Sequence, residues 1–181
     1  VDLYAAIARS SNIFFYAVGG GLPYNEDLIQ GETDFKGLGM PLIEKYLKLF
    51  GFNEKTGIDL PGESSGLLRP VSAWTRVDTS TIAFGQGISV TAVQLLTAMS
   101  AIANHGVLMK PYIVQALTDK KGRIIEQYSP TVVRNVISPE TARTMTSILT
   151  SVVQDEDGTG KNARIAHLNV AGKTGTSQKF D

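Results

Sequence analysis

The stretch that most limits how this chain can fold is an apolar run that follows Thr91. Thr91 and Gln94 have the spacing of a capping box, in which each side chain bonds the backbone N–H of the other residue, so a helix is predicted to begin here. Its apolar residues lie on nearly every side of the helix axis: Leu95, Leu96, Ala98, Met99, Ala101, Ile102 and Ala103. A helix of this kind must be enclosed by other elements. We therefore predict that it is the central helix of the domain and that it ends at Asn104-His105-Gly106.

The segments around this helix predict a mixed, α+β domain. Helices are indicated wherever a cap residue or a turn precedes apolar residues at helical spacing, namely after Asp2, over Ile13–Val18, over Leu42–Phe50 and after Ser138-Pro139. Two predicted strands, Ile113–Leu117 and Ile124–Tyr128, flank a loop ending in Gly122 that has the chemistry of a β-hairpin. The glycine-rich stretch Phe52–Val71 is predicted to be an ordered connection, and Trp74 is predicted to anchor the core.

The composition excludes several classes of function. The 17 Lys and Arg residues balance the 17 Asp and Glu residues, so no overall field favours nucleic acid. The absence of Cys excludes disulfides, thiolate metal sites and a cysteine nucleophile. The acidic run Asp155–Asp157 is predicted to be a solvated loop, so we expect no metal and no cofactor. No apolar run reaches the ~20 residues needed to span a bilayer.

The residues near the end of the chain are typical of an anion site. Leu168 and Val170 alternate with polar residues, so a third strand is predicted over Leu168–Gln178, leading into Lys173-Thr174-Gly175. A lysine beside hydroxyls favours an anionic group, and the glycines on either side leave the backbone open to the main chain of a substrate. An edge strand with solvated polar residues is an equally open interpretation of these residues alone.

Neither glycine-lysine pair in this region belongs to a phosphate-binding P-loop. That motif needs a glycine five residues before the one that precedes the lysine, and a helix straight afterwards. His167 stands at that position for Gly172-Lys173, and Asp155 stands there for Gly160-Lys161. Gly85-Gln86-Gly87 likewise lacks the third glycine of a dinucleotide loop.

A polar triplet, Ser10-Ser11-Asn12, lies between the first two predicted helices. Its hydroxyl and amide groups are suited to capping the second helix, and taken alone the triplet needs no other explanation. Its order relative to Lys173-Thr174-Gly175-Thr176, with a buried helix and a hairpin between the two motifs, is a more specific combination.

With these motifs, the chain resembles the transpeptidase domain of penicillin-binding proteins, in the serine penicillin-recognising superfamily. The stretches Thr56–Glu63 and Phe84–Thr91 extend the resemblance along the chain and are similar to the class B, monofunctional type that acts in septal or sporulation wall synthesis. The resemblance implies a β-lactamase/transpeptidase-like fold, with a helical subdomain and part of an antiparallel sheet. It also implies action on the D-Ala-D-Ala end of peptidoglycan stem peptides, and inhibition by β-lactams.

The resemblance implies a role for each matching residue. Ser10 would relay protons to the leaving nitrogen, and Asn12 would bind the substrate amide. Lys173 would keep the cleft positive, and the Thr176 N–H would form half of the oxyanion hole. The implied catalytic set is therefore Ser10, Asn12, Lys173 and Thr176. The implied substrate-binding set is Ser10, Asn12, Lys173, Thr174, Gly175 and Thr176, with the hydroxyls of Thr174 and Thr176 on the terminal carboxylate.

One motif of this family is missing. The family's nucleophile belongs to a Ser-x-x-Lys motif upstream of Ser-x-Asn, yet no serine of this chain has a lysine three residues later. We therefore expect residues 1–181 to be one partial transpeptidase domain, truncated at both ends and inactive alone. An incomplete sheet exposes an edge, so we also expect self-association or marginal stability. The resemblance implies an extracytoplasmic location at the bacterial membrane, through an anchor outside this chain, and partners in the wall-synthesis machinery.

Other classes of function stay open at this stage. A non-catalytic β-lactam sensor or a cell-wall scaffold domain would share the fold but not the turnover. A serine β-lactamase would need a deacylating base, and the only histidines, His105 and His167, offer no obvious one. A Ser-His-Asp hydrolase is disfavoured because the one Gly-x-Ser-x-Gly match, Gly62–Gly66, lies in the predicted connection and not at a strand-to-helix elbow.

Overall fold

The computed structural model describes residues 2–21 and 37–176 of the chain. The sequence also predicts that Gly19-Gly20-Gly21 ends the second helix and that a polar loop follows; residues 22–36 of that loop lie outside the described residues. The elements, in chain order, are α1 (Leu3–Ala8), α2 (Asn12–Gly20), α3 (Gly39–Leu49), α4 (Arg76–Ile82), α5 (Ala92–Ala103), β1 (Val107–Lys110), β2 (Ala116–Thr118), β3 (Ile124–Gln127), β4 (Thr131–Asn135) and α6 (Pro139–Gln154). The mixed α+β architecture is therefore confirmed. The sequence had not predicted α4, β1 or β4.

Cap residues set the beginnings of the helices, as predicted. The Asp2 carboxylate accepts a hydrogen bond from the Ala5 N–H at 2.8 Å and starts α1. Both bonds of the capping box at α5 are present, with Thr91 Oγ1 3.1 Å from Gln94 N and Gln94 Oε1 2.9 Å from Thr91 N. Ser138 caps α6 with a single bond, in which its Oγ accepts from the Thr141 N–H at 3.1 Å, and proline is at the first helical position. Side-chain capping supplies partners for N–H groups that have none within the helix.

The prediction that α5 is enclosed on every side is wrong for the described part of the chain. Ala98 and Ala101 are buried on the face of α5 that packs against β1 and α6. In contrast, Leu95 is 51% exposed and Leu96 is 68% exposed. The sequence shows that a helix has apolar residues all round, but the neighbouring elements decide how many of its faces are covered.

The four strands of the described ranges form two separate antiparallel pairs. β2 and β3 form the predicted hairpin, and Gly122 has the expected left-handed backbone, with a φ of +77°. β1 pairs with β4, and the register of this pair shifts between Leu108 and Met109. Leu108 is buried and packs with Ala101 of α5, so this pair contributes to the core.

Helix α6 contacts both α1 and the segment that leads to Lys173. Its residues Ile148, Leu149 and Val152 form a buried cluster with Ile7 of α1. Trp74 anchors a second cluster, with Ile43 and Ile82, which confirms its predicted core role. Because Ile7 is fixed on α6, the chain that follows α1 is also held close to α6.

The third strand, predicted over Leu168–Gln178, is absent from 168–176, the part of that range that the structure describes. Alternating residues make a strand only where another strand pairs with them, and the described strands β1–β4 pair with one another instead. The segment is held to α6 by isolated bonds: Gln154 Nε2 donates to the Leu168 carbonyl at 3.2 Å, and the Gly172 N–H donates to the Leu149 carbonyl at 3.0 Å.

Candidate active site

The hydroxyl of Ser10 is presented by the turn that ends α1. The Ser11 N–H bonds the Ala6 carbonyl at 2.9 Å, and the Ser10 N–H bonds the Ile7 carbonyl at 3.1 Å, which is the hydrogen-bond pattern of a Schellman motif. The residue at the position of Ser10 in this motif is usually glycine, because its backbone is left-handed. Ser10 has a φ of +54°, so a serine occupies a left-handed position that glycine usually takes. Such backbone strain costs on the order of 1 kcal/mol and is found most often at functional sites.

The neighbouring Ser11 has a different, local role. Its Oγ accepts a hydrogen bond from the Phe14 N–H at 3.3 Å and caps α2. The capping interpretation of the Ser-x-Asn triplet is therefore correct for Ser11, but it does not account for Ser10.

Lys173 lies close to Ser10 because α1 and the segment around Gly172 both contact α6. The Ile7 side chain packs on Leu149 from one side, while the carbonyl of the same Leu149 accepts the Gly172 N–H. The Lys173 ammonium consequently lies 2.8 Å from Ser10 Oγ, although the two residues are 163 positions apart in sequence. We refer to Ser10, Thr159, Lys173 and Thr174 together as the Lys173 junction.

The Lys173 ammonium has three acceptors within the junction. Besides Ser10 Oγ, it donates to the Thr174 carbonyl at 3.1 Å and to Thr174 Oγ1 at 3.3 Å. An ammonium carries three N–H donors, so this set matches its capacity. Because ammonium is a donor only, the Ser10 oxygen accepts from it, and the Ser10 proton is left free for another acceptor.

The pKa of Lys173 lies below its ordinary value because burial of the ammonium disfavours the charged form. Desolvation is the cause, although the side chain as a whole is exposed. A lower pKa makes the ammonium a better proton donor, and in its charged form the ammonium attracts anions. The junction can therefore both attract an anion and pass on a proton.

Thr159 connects the other side of the junction to α1. Its Oγ1 lies 3.0 Å from Thr174 Oγ1 and donates to the Ala8 carbonyl at 3.1 Å. Its backbone N–H donates to the same Ala8 carbonyl, also at 3.1 Å. Sequence reasoning missed Thr159, because Gly158-Thr159-Gly160-Lys161 was considered only as a failed P-loop. The two glycines were the available signal, since they permit a close approach of the backbone.

The remaining predicted site residues are in less constrained surroundings. Asn12 is the first residue of α2 and is exposed, and its side chain forms no hydrogen bond within residues 2–21 and 37–176. Gly175 has open space where a Cβ atom would lie. Thr176 is exposed. Thus the structure joins Ser10, Lys173 and Thr174 through hydrogen bonds, but it shows no bond from Asn12, Gly175 or Thr176 to that group.

Two further features bear on the chemistry of the site. Within the described ranges, no group of three or more His, Cys, Asp or Glu side chains is arranged to hold a metal ion. None of the helices in the described ranges is long and apolar enough to cross a membrane.

The whole chain matches a known protein family. The family model described as "Penicillin binding protein transpeptidase domain" matches residues 1–181. The chain is 45% identical over 143 residues to stage V sporulation protein D of Bacillus subtilis, a match that covers 78% of this chain and 22% of that protein. The chain spans about a quarter of the length of the curated relatives it matches.

Solved structures share its fold. The D,D-transpeptidase domain of a peptidoglycan glycosyltransferase from Eggerthella lenta superposes with a TM-score of 0.83 at 27% identity, over 100% of this chain and 43% of that one. Penicillin-binding protein 3 of Mycobacterium tuberculosis, in complex with aztreonam, superposes with a TM-score of 0.80 at 30% identity, over 99% and 38% of the two chains. The predicted transpeptidase-like α+β fold is therefore confirmed.

Proposed function

Because this chain belongs to the penicillin-binding protein transpeptidase family, we propose that the protein containing it is a serine-type peptidoglycan D,D-transpeptidase of class B. In the proposed reaction, a serine attacks the carbonyl between the two D-Ala residues of a stem peptide and the terminal D-Ala leaves. The amine of a neighbouring stem peptide then attacks the acyl-enzyme, forms the cross-link and regenerates the serine. A β-lactam mimics the dipeptide and leaves a stable acyl-enzyme instead.

The observation that carries this proposal is the bond from the Lys173 ammonium to Ser10 Oγ. Since the Ser10 oxygen accepts from Lys173, its own proton is available to the leaving nitrogen. The ammonium is then placed to return a proton to Ser10, and its lowered pKa favours that transfer. Ser10 and Lys173 thus act together as a proton relay.

The other site residues would recognise the substrate. The hydroxyls of Thr174 and Thr176 would bind its terminal carboxylate beside the positive charge of Lys173. The Asn12 amide would bind a substrate amide, and the Thr176 N–H would stabilise the oxyanion of the tetrahedral intermediate. The open side of Gly175 lets an extended peptide approach the backbone.

We place the nucleophile and its activating lysine in a part of the protein outside this chain, because no serine here has a lysine three residues later. Residues 1–181 would then contribute one wall of a shared cleft and would not be acylated alone. We also propose that the protein acts at the extracytoplasmic face of the bacterial membrane, through an anchor outside this chain, with the cell-wall synthesis machinery as its partner.

The experiment that tests this function is covalent labelling with a fluorescent penicillin. The natural polypeptide that contains this sequence is compared with residues 1–181 alone, and unlabelled penicillin serves as the competitor. We expect label on the natural polypeptide only, stable to denaturation. Label on neither folded sample would overturn the penicillin-binding function, and label on residues 1–181 would overturn the placement of the nucleophile.

Turnover assays then separate the transpeptidase from related activities. We expect release of D-Ala from a stem peptide in the presence of an acceptor amine. Rapid hydrolysis of nitrocefin would instead identify a serine β-lactamase. Acylation without D-Ala release would identify a β-lactam sensor.

A further inference from the structure

The hydroxyl of Thr159 lies between the end of α1 and the Lys173 segment, and its hydrogen bonds have one consistent direction. A carbonyl oxygen only accepts, so Thr159 Oγ1 must give its single proton to Ala8 O. In the 3.0 Å contact between the two threonine hydroxyls, Thr174 must therefore be the donor. This leaves the lone pairs of Thr174 Oγ1 to accept from the Lys173 ammonium.

The bonds form a continuous chain from the lysine to α1. It runs from the Lys173 ammonium to Thr174 Oγ1, then to Thr159 Oγ1, and ends at the Ala8 carbonyl. Ala8 is buried and lies two residues before Ser10. The same turn of chain that presents Ser10 to the ammonium is therefore tied to the ammonium by a second route.

The backbone around Thr159 is shaped to make this chain of bonds. The Gly158 N–H bonds the Asp155 carbonyl and the Gly160 N–H bonds the Val152 carbonyl, so the loop folds back over the end of α6. A Cβ atom at Gly158 would lie 2.3 Å from the Val152 carbonyl oxygen, which no real side chain tolerates. Glycine at 158 is thus what allows Thr159 to reach Ala8.

From this geometry we propose that Thr159 is a positioning residue, which holds the Thr174 hydroxyl, and through it the Lys173 ammonium, against the end of α1. The inference rests on the proposed function, because its effect is measured on acylation. Thr159 itself need not touch the substrate. It fixes the side-chain rotamer of Thr174 and directs the Thr174 proton away from the ammonium.

The proposal predicts a pH effect that a purely structural role would not produce. Without Thr159 Oγ1, the Thr174 hydroxyl is free to turn, and the ammonium loses a fixed acceptor that favours its charged form. The charged pair closest to the junction in sequence is Arg9 with Asp157, at 2.5 Å. Neither of these contributes to the lowered pKa of Lys173, for which desolvation is the cause. We therefore expect removal of the Thr159 hydroxyl to lower the pKa of Lys173 further.

The test measures penicillin acylation in the natural polypeptide. Thr159→Val keeps the backbone bond to Ala8 and the branched shape but removes the hydroxyl, whereas Thr159→Ser keeps the hydroxyl. We expect Thr159→Val to slow acylation about tenfold, the size of one lost hydrogen bond, and Thr159→Ser to remain within about twofold of the wild type. The alkaline limb of the acylation pH profile should move to lower pH in Thr159→Val only. If Thr159→Val does not fold, Thr159→Ala takes its place, since it also keeps the backbone bond.

A double-mutant cycle shows whether Thr159 acts through Thr174. In a Thr174→Val background, we expect Thr159→Val to change acylation by less than about twofold, since the group it positions is gone. Independent, multiplying effects would overturn the proposal, as would an unchanged pH profile or wild-type acylation by Thr159→Val. If the wild-type polypeptide itself were not acylated, the proposed function would fail. An acylated wild type with an equally acylated Thr159→Val would show that only the positioning role fails.

Discussion

Two regions of this chain are built largely from polar side chains, and they use them in opposite ways. The first is the connection over residues 53–68 together with the Gln94 side chain that it encloses, which we name the Gln94 connection. Gln94 is 1% exposed, and its amide donates to the carbonyls of Glu54 and Ser65, each at 2.8 Å, while its oxygen accepts the Thr91 N–H. Glu63 in the same region accepts from Thr56 and Gly57.

The Lys173 junction is the second region. Its lysine is also bonded, but the Ser10 hydroxyl keeps a free proton, and Ser10 occupies a strained backbone position. Two residues after Ser10, the side chain of Asn12 has no hydrogen bond within the described ranges. Polar groups that form their hydrogen bonds with one another stabilise a fold. Surface groups that are strained or have unused hydrogen-bonding capacity are available to a ligand. The comparison predicts that changes in the first region affect stability and changes in the second affect acylation.

The largest expected effect is on acylation, at Lys173. In the proposed function, Lys173 faces the substrate carboxylate and is the proton source for Ser10, so we expect Lys173→Ala to slow acylation by penicillin about 10²- to 10³-fold. The free energy of unfolding should change by less than about 1 kcal/mol, because the side chain is exposed. Stopped-flow acylation and thermal melting of the natural polypeptide measure the two quantities. Lys121→Ala in the hairpin loop is the control, and near-normal acylation by Lys173→Ala would contradict the role given to the junction.

The second effect is on stability, at Gln94. Gln94→Leu has a similar volume but leaves the Thr91 N–H and two carbonyls without their partner in a buried place. We expect it to lower the free energy of unfolding by about 2–4 kcal/mol, while the fraction that stays folded is acylated at the normal rate. Gln127→Leu on exposed β3 is the matched control and should change stability much less. A large loss of acylation in folded Gln94→Leu would remove the contrast between the two regions.

A smaller effect tests the strain at Ser10. Ser10→Ala and Ser10→Gly both lose the Lys173 bond, but only glycine relieves the left-handed backbone. Chemical denaturation should therefore show Ser10→Gly to be more stable than Ser10→Ala by up to about 1 kcal/mol, with acylation slow in both. At Ser129, whose φ is not positive, the order should reverse, because glycine there only adds entropy to the unfolded chain. If Ser10→Gly were less stable than Ser10→Ala, by the same margin as at Ser129, no strain would be stored at this position.

The sequence could predict the features that depend on residues close together in the chain. The cap at Asp2, the capping box of Thr91 and Gln94, and the helix start at Ser138-Pro139 depend on residues within one turn, and all were predicted correctly. In contrast, the hydrogen bonds from Gln94 to the carbonyls of Glu54 and Ser65 could not be predicted, because those partners come from a different part of the chain.

The errors share a cause. The strand expected over Leu168–Gln178 was wrong for 168–176 because alternation cannot supply a pairing partner. The exposure of Leu96 was missed because composition does not reveal which faces of a helix its neighbours cover. Thr159 was missed because its importance lies in reaching Ala8, 151 residues away. Ser10 and Lys173 were selected through a family resemblance, and their contact became visible only in three dimensions.

The smallest expected effect concerns the pH dependence of the Gln94 connection. The Thr56 hydroxyl, which donates to Glu63, holds the pKa of that carboxyl below its usual range, with help from the Thr56 and Gly57 N–H groups. A carboxylate whose pKa is lower when folded adds stability above its unfolded pKa and loses it as the pH falls through the folded value. Glu63→Gln should therefore be slightly less stable than the wild type at pH 7, and the difference should vanish in acid. Thr56→Val removes the largest cause of the lowered pKa, so the pH dependence of the Glu63→Gln comparison should shrink in that background.

Denaturant titrations at several pH values measure the difference, and acylation at pH 7 should not change. A stability difference that grew in acid would show that the carboxylate is not stabilised by these donors, and that the Gln94 connection is less completely satisfied than its hydrogen bonds indicate.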